Sequence, residues 1–299
     1  MAVNVCIMGL GNIGLPVAQH ISKIYKQTQG YDISQQAIKT AKQNGINTTT
    51  KLPYADIYVI TVNTWFRNNQ PDMSAIEDCT KKAAKLNPDA LICYESTLTI
   101  GTARKLAAKY KLTNIAVCPH RWWKQEEDKH GVVQIRALGS LNQQSHTKAL
   151  EFYNTLGIPT HPVNSLEIAE LTKLAENTYY YLRIAYAQEL KLLCDENNLN
   201  YDELRDAANT KWNVDLPEAR NGIGGECLPK DIQFLINTYP TTALLQAAII
   251  ADKNYQTKQQ HNNKTPKQTT TKSPRKTTKT TRTQSNLQTE ISTSQDRSS

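Results

Sequence analysis

The sequence has no Cys-x-x-Cys pair and none of the His/Cys spacings that hold zinc, although six cysteines stand at 6, 79, 93, 118, 194 and 227. Without such pairing neither a disulfide framework nor a metal site is expected, and the unpaired thiols point to the reducing cytoplasm. Also missing is any apolar run approaching the roughly 18 to 20 residues that a membrane span needs, or a basic segment leading into an apolar one at the start. A soluble protein without membrane contact is expected. Charge is scarce too, once it is divided along the chain. After position 255 there are nine Lys and Arg against Glu290 and Asp296, so +7 of the total +8 falls on residues 256–299 and +1 is left for the first 255. A nearly neutral folded part offers no basic face for nucleic acid. The segment 256–299 is rich in Thr, Lys, Gln and Ser, and it has too little apolar surface to offset the entropy of ordering. A disordered tail is expected there.

What is present begins with a buried strand over 3–8 that runs into Gly9-Leu10-Gly11-Asn12-Ile13-Gly14. Strand before and helix after, over 13–25, are the setting in which G-x-G-x-x-G cradles a dinucleotide pyrophosphate on backbone N–H groups. Asp32 follows 18 residues after Gly14, at the end of a short strand over 30–32. There a carboxylate accepts hydrogen bonds from the adenosine ribose and repels a 2′-phosphate, which favours NAD over NADP. Further strands are expected over 56–62, 90–94, 115–118 and 134–138, with helices over 72–86 and 102–110. This alternation predicts an α/β fold with a Rossmann-type, doubly wound parallel sheet. Ligands bind beyond the carboxyl ends of such strands, here the loops 63–65, 95–97 and 119–123.

From 165 to 197 the pattern changes to one helix without Gly or Pro, with apolar residues near a 3.6 period. Lys173 and Asn177 leave the same face of it, where a cation and an amide can bind developing negative charge. A short helix over 201–208 and a loop over 209–221 lead to Gly222-Ile223-Gly224-Gly225-Glu226-Cys227-Leu228-Pro229-Lys230-Asp231. Pro229 suits a first helical turn. A cysteine at that start feels the positive end of the helix dipole, which lowers a thiol pKa and favours the thiolate. Asp231 is four residues on, on the same face. A last helix is expected over 241–255. The chain divides into an NAD-binding unit, 1–164; a mostly helical central and dimerisation unit built on the long helix, 165–255; and the tail, 256–299.

Six stretches in one order resemble the nucleotide-sugar dehydrogenases, which include UDP-glucose, GDP-mannose and UDP-N-acetylmannosamine dehydrogenases. They are GLGNIGLPVA at 9–18, YDIS at 31–34, STLTIGT at 96–102, CPHR at 118–121, AELTKLAENTYYYLRIAYAQEL at 169–190 and GIGGECLPKD at 222–231. CPHR looks more like the N-acetylmannosamine and archaeal-type branch. The resemblance covers about residues 1–255. It implies oxidation of a sugar primary alcohol to a carboxylate by two molecules of NAD, through a thiohemiacetal and a thioester on Cys227. Lys173 and Asn177 would supply the oxyanion site and, with Arg121 and Gly224, contact the substrate. Asp231 and Thr97 would assist the hydrolytic water. Gly9, Gly11, Asn12, Ile13, Gly14, Asp32, Thr64 and Thr97 would line the cofactor, and a homodimer would form through the central unit.

The chain departs from that family in three places. His120 stands where Glu is usual in the motif carrying the hydrolysis base, a place an imidazole can fill near neutral pH. Glu226 stands where His is usual, and a carboxylate beside Cys227 raises a thiol pKa. The family's third, UDP-binding domain has no counterpart here, so substrate binding energy and rate are expected to fall. Two rival readings follow: a non-catalytic, truncated dinucleotide-binding relative, and a two-domain hydroxyacid dehydrogenase that uses a lysine on the long helix and no thiol.

Overall fold

The computed structural model describes residues 3–122, 129 and 131–264. In chain order the sheet unit comprises β1 (Asn4–Met8), α1 (Gly14–Ile24), β2 (Gln27–Tyr31), α2 (Gln35–Gln43), β3 (Thr48–Thr49), β4 (Ile57–Ile60), β5 (Trp65–Arg67), β6 (Gln70–Asp72), α3 (Ser74–Leu86), β7 (Leu91–Tyr94), α4 (Thr102–Tyr110), β8 (Ile115–Val117), β9 (Arg136–Ser140), α5 (Gln143–Thr155) and β10 (Thr160–Val163). Then come α6 (Leu166–Glu196), α7 (Tyr201–Ala208), α8 (Cys227–Thr238) and α9 (Ala243–Lys264).

The strands are apolar on both faces because both are covered. Cys6, Met8, Tyr58, Ile60, Ile92 and Tyr94 enter one core, while Val5, Ile7, Val59, Leu91 and Cys93 enter the other. Period-2 alternation therefore splits each continuous apolar run between two layers of helix. Among the described residues, eight strands join in the order β10-β9-β8-β7-β4-β1-β2-β3. The order reverses at β1, which pairs in parallel with both β2 and β4, so the loops after β1 and β4 flank an open crevice. The sheet is parallel except between β8 and β9, which run antiparallel with Val117 opposite Gly139.

Helix α2 and the two-residue strand β3 have no counterpart in the sequence reading, and three further features escape it. Helix α5 is capped by Asn142, whose side chain accepts from the Ser145 N–H at 2.8 Å, but its polar sequence hides it. Strand β10, with a proline, lies at the sheet edge. The third is a two-residue hairpin: Asn68 and Asn69 both take positive φ (51° and 59°) and join β5 to β6. Asparagine tolerates that backbone, and two such residues match the twist of a tight hairpin. Phe66 on β5 then packs its ring 6.3 Å from that of Phe234 on α8, which ties the sheet unit to the cysteine helix.

Helix α6 starts where Ser165 accepts from the Ile168 N–H at 3.2 Å. Its 31 residues give a rod of about 46 Å. Leu166 and Ala169 at its start belong to the sheet core, whereas Tyr181 and Ile184 further along pack with Ile223, Ile232 and Ala248. Helix α9 runs nine residues past 255, so 256–264 is helical and not part of a tail; the rest of the expected tail, 265–299, lies outside the described residues. On α9, Asp252 is 4% exposed and accepts from the Ile223 N–H (2.9 Å), Gln188 Nε2 (3.0 Å), Tyr181 OH (3.4 Å) and Gln256 Nε2 (2.7 Å). One buried carboxylate thus fixes the glycine-rich loop against α6.

Removing a buried acceptor strands its donors. Asp252→Ala is therefore expected to lower the unfolding free energy by about 2–4 kcal/mol, and Asp252→Asn by less, in denaturant titrations followed by circular dichroism. Equal midpoints for wild type and Asp252→Ala would refute the role given to this carboxylate.

Candidate active site

The fingerprint turn shows what its glycines are for. Gly9 takes φ +100°, and a Cβ on Gly14 would stand 1.7 Å from the Gly9 carbonyl oxygen. A Cβ on Gly11 would meet nothing within 4 Å, so that position faces open space. No side chain caps the start of α1, where Ile13 is the N-cap. Of the first N–H groups of the helix, that of Leu15 donates to the Gly11 carbonyl at 3.1 Å, and that of Gly14 stands at the turn where a pyrophosphate would bind. Asp32 accepts from the Leu10 N–H and from the Ser34 N–H, each at 2.7 Å, which holds the fingerprint turn to the end of β2. These residues fit a dinucleotide: a backbone turn that an added Cβ would fill, an uncapped helix start, and a carboxylate at the ribose end.

Beyond the carboxyl ends of β1, β4, β7 and β8 lies a cleft of about 120 Å³ lined by Ile13, Thr64, Thr97, His120, Lys173, Cys227 and Lys230, among others. Residues from the loops 63–65 and 95–97, from the residues after β8, from α6 and from the start of α8 thus share one space. The Thr64 hydroxyl donates to the Thr97 carbonyl at 2.9 Å and joins two strand-end loops.

Cys227 is the first residue of α8, with Glu226 at the N-cap, and among the six cysteines it is the exposed one. Its thiol pKa is nevertheless raised above the ordinary value. Desolvation by the surrounding protein contributes most, then the Asp231 carboxylate; Lys173 and Lys230 pull the other way, and Glu226 adds a smaller rise. The expected lowering by the helix dipole does not prevail, because a neighbouring carboxylate and lost solvation outweigh it. Lys173 shifts oppositely, downward. Its burial disfavours the ammonium more than Asp231, Glu176 and Cys227 favour it.

Asn177 and Asp231 stand together, not on the cleft lining: Asn177 Nδ2 donates to Asp231 Oδ2 at 2.5 Å. Asp231 is 0% exposed and its other oxygen pairs with Lys230. Lys230, to which the sequence reading gave no role, also reaches Thr64 Oγ1 at 3.4 Å and lies 4.3 Å from the Phe234 ring centroid. Arg121 turns from the cleft to pair with Glu176 and donates to the Ile135 carbonyl at 2.5 Å. Gly224 is exposed in the loop before Cys227, with open space where a Cβ would project. Trp123, the last residue of the expected 119–123 loop, lies outside the described residues.

His120 differs most from expectation. Its Nδ1 accepts from the Trp122 N–H at 3.0 Å; its Nε2, which then carries the ring proton, lies 3.0 Å from Arg136 Nη2 and 3.7 Å from Glu95 Oε2. Burial, Arg136 and Lys173 hold its pKa well below the ordinary histidine value. An imidazole so placed is neutral and weakly basic, unlike the base near neutral pH that the sequence suggested. Behind it Arg136, 0% exposed, pairs with Glu95 through Nη1 at 2.9 Å, and Tyr153 OH donates to Glu95 Oε1 at 3.2 Å. A lone arginine in the stretch 134–138 gave no sign of this.

Comparison with known proteins agrees with this geometry. Residues 167–254 match the central domain of the UDP-glucose/GDP-mannose dehydrogenase family, and residues 4–118 match the NAD binding domain of 6-phosphogluconate dehydrogenase. The chain is 30% identical to a UDP-N-acetyl-D-mannosamine dehydrogenase of Salmonella typhimurium and 29% identical to that of Escherichia coli, each over 81% of this chain and 66% of the relative. The chain thus spans about two thirds of the length of these relatives. A solved structure of UDP-D-ManNAc dehydrogenase from Pyrococcus horikoshii superposes with a TM-score of 0.77 at 25% identity, covering 84% of this chain and 68% of the other. By this central domain, joined to an NAD-binding sheet unit, the chain belongs to the UDP-glucose/GDP-mannose dehydrogenase family.

Proposed function

We propose that this chain oxidises the primary alcohol of a nucleotide sugar to a carboxylate, with NAD as oxidant and Cys227 as covalent nucleophile. The observation that carries this reading is the shared cleft, where Thr64 and Thr97 of the NAD-binding unit meet Lys173 and Cys227 of the central domain. Gly9, Gly11, Asn12, Ile13, Gly14 and Asp32 would hold the cofactor, which when bound accepts hydride from the substrate carbon. Lys173, whose proton is loosened by burial, takes the hydroxyl proton as the aldehyde forms. The Cys227 sulfur then bonds to the aldehyde carbon, and the thiol proton passes to the carbonyl oxygen to give a thiohemiacetal. Once Lys173 has passed its proton to solvent and a second oxidised cofactor has replaced the reduced one, the thiohemiacetal would lose a second hydride to that cofactor and its hydroxyl proton to Lys173, which leaves a thioester; water adds and releases the acid and the free thiol. Asp231, held by Asn177, fixes the Lys230 ammonium, and its charge favours the ammonium form of Lys173 beside the forming oxyanion. Arg121 and Gly224 remain candidate contacts for the substrate outside the cleft.

Association with a second copy through the central domain belongs to the same proposal, and exposed Tyr186, Leu244 and Ile250 give it apolar surface. So does a cytoplasmic setting, which suits six unpaired cysteines. Among the described residues no helix is long and apolar enough to cross a membrane, and no group of three or more His, Cys, Asp or Glu could hold a metal ion.

Two measurements test the thiol route. In a panel of UDP-sugars with NAD, wild type is expected to form two reduced cofactors per sugar. Cys227→Ser is expected to lose carboxylate formation by roughly 10³-fold or more; a variant that still makes the acid at the wild-type rate rules out the thioester and favours a hydroxyacid-type mechanism. Alkylation of Cys227 by iodoacetamide reads the thiol directly. Because its pKa is raised, the rate is expected to keep climbing above the pH at which an ordinary cysteine levels off. Asp231→Asn, which removes a raising charge, moves the curve to lower pH, and Lys173→Met moves it higher; an unshifted curve in both variants contradicts the electrostatic account.

A further inference from the structure

Trp122 lines two clefts of the sheet unit. It borders the space that holds Cys227, Lys173, Ile13 and Thr64, and it also borders a groove of about 530 Å³ with Leu10, Gly11, Asn12 and Ser34. The fingerprint turn divides the two: Gly11 and Asn12 face the groove, Ile13 the catalytic cleft. A dinucleotide with its ribose at Asp32 and its reactive ring near Cys227 has to cross that turn, and the indole lies beside the crossing. A second observation concerns the indole itself. Its Nε1–H is buried and has no hydrogen-bond partner among the described residues, whereas buried tryptophan N–H groups usually find one. The backbone N–H of the same residue is anchored on His120 Nδ1 at 3.0 Å, which holds the main chain of Trp122 beside the crossing.

We infer that Trp122 is a cofactor-positioning residue: on entry of the dinucleotide its indole turns and donates the Nε1–H to a pyrophosphate oxygen above the fingerprint turn. The inference rests on the NAD-binding reading of the sheet unit. A donor without a partner makes the present side-chain pose the poorer one for that group, and an anionic oxygen is the strongest acceptor that can reach it. The apolar ring meanwhile covers the turn and keeps water from the phosphate contacts.

The test titrates the full chain with NAD, ADP-ribose and AMP by isothermal calorimetry, alongside intrinsic fluorescence from the four tryptophans. Trp122→Phe keeps a ring and removes the donor. It is expected to weaken NAD and ADP-ribose, which both carry the pyrophosphate, by roughly 10- to 100-fold, to leave AMP unchanged, and to abolish most of the fluorescence change. Trp122→Leu repeats the measurement with an unrelated side chain, and melting temperatures confirm that each variant folds. Unchanged affinity for NAD in both variants, or tighter binding as expected of a mere plug, overturns the inference. A wild-type chain that binds no NAD overturns the cofactor reading and this inference together.

Discussion

The convergence of Cys227 and Lys173 depends on one buried carboxylate. Asp231 holds Asn177 of α6 with one oxygen and Lys230 with the other, and Lys230 extends the link to Thr64 in the loop between β4 and β5. Three elements remote in sequence are thus locked around a residue 0% exposed. A carboxylate so deep is tolerable only where its hydrogen bonds and countercharge are complete. The Phe66–Phe234 contact brings α8 to the sheet, but it is apolar and has little directional preference. The polar link supplies direction, since a shift of α8 by one residue would carry Asp231 away from Asn177.

That arrangement has an electrostatic consequence. The charge that positions Cys227 also raises its pKa, and the nearby ammonium groups only partly compensate. The Cys227 pKa is raised and that of Lys173 lowered, so both shifts work against transfer of the thiol proton to the lysine before substrate arrives. A substrate aldehyde changes the balance: as its oxygen gains charge, it replaces the thiolate as the anion the ammonium groups stabilise. Thiol activation is therefore coupled to addition and need not precede it.

The sheet unit was largely legible from the chain because its signals are local. The fingerprint at 9–14, the acid at 32 and the apolar runs of β1, β4 and β7 each carry their own period or spacing. Helices α4 and α7 fall over the expected residues for the same reason. What escaped depends on tertiary partners. The hairpin at Asn68-Asn69 is too short to show a period, and α5 is a polar helix recognisable only by its cap. Lys230 was visible inside a motif yet acquires its role from Thr64, 166 residues away. The direction of the Cys227 shift was misread because a helix dipole can be inferred from sequence, whereas the depth at which Asp231 lies cannot.

The sheet side of the cleft rests on a different kind of support. Glu95, Arg136, His120 and Tyr153 form a buried polar group beneath it, at the junction of β7, β8, β9 and α5. Apolar side chains of similar volume would often be as stable there, so such a pair is weak evidence for stability. Its geometry has a directional effect instead. Arg136 presents one nitrogen to Glu95 and another to His120, and His120 in turn fixes the backbone of Trp122. A guanidinium whose fork is planar and always charged sets that chain of contacts at fixed angles. The histidine at 120, neutral and set between the Trp122 N–H and the Glu95–Arg136 pair, acts as the last link of this support, which places the loop after β8 relative to the fingerprint turn across the crevice.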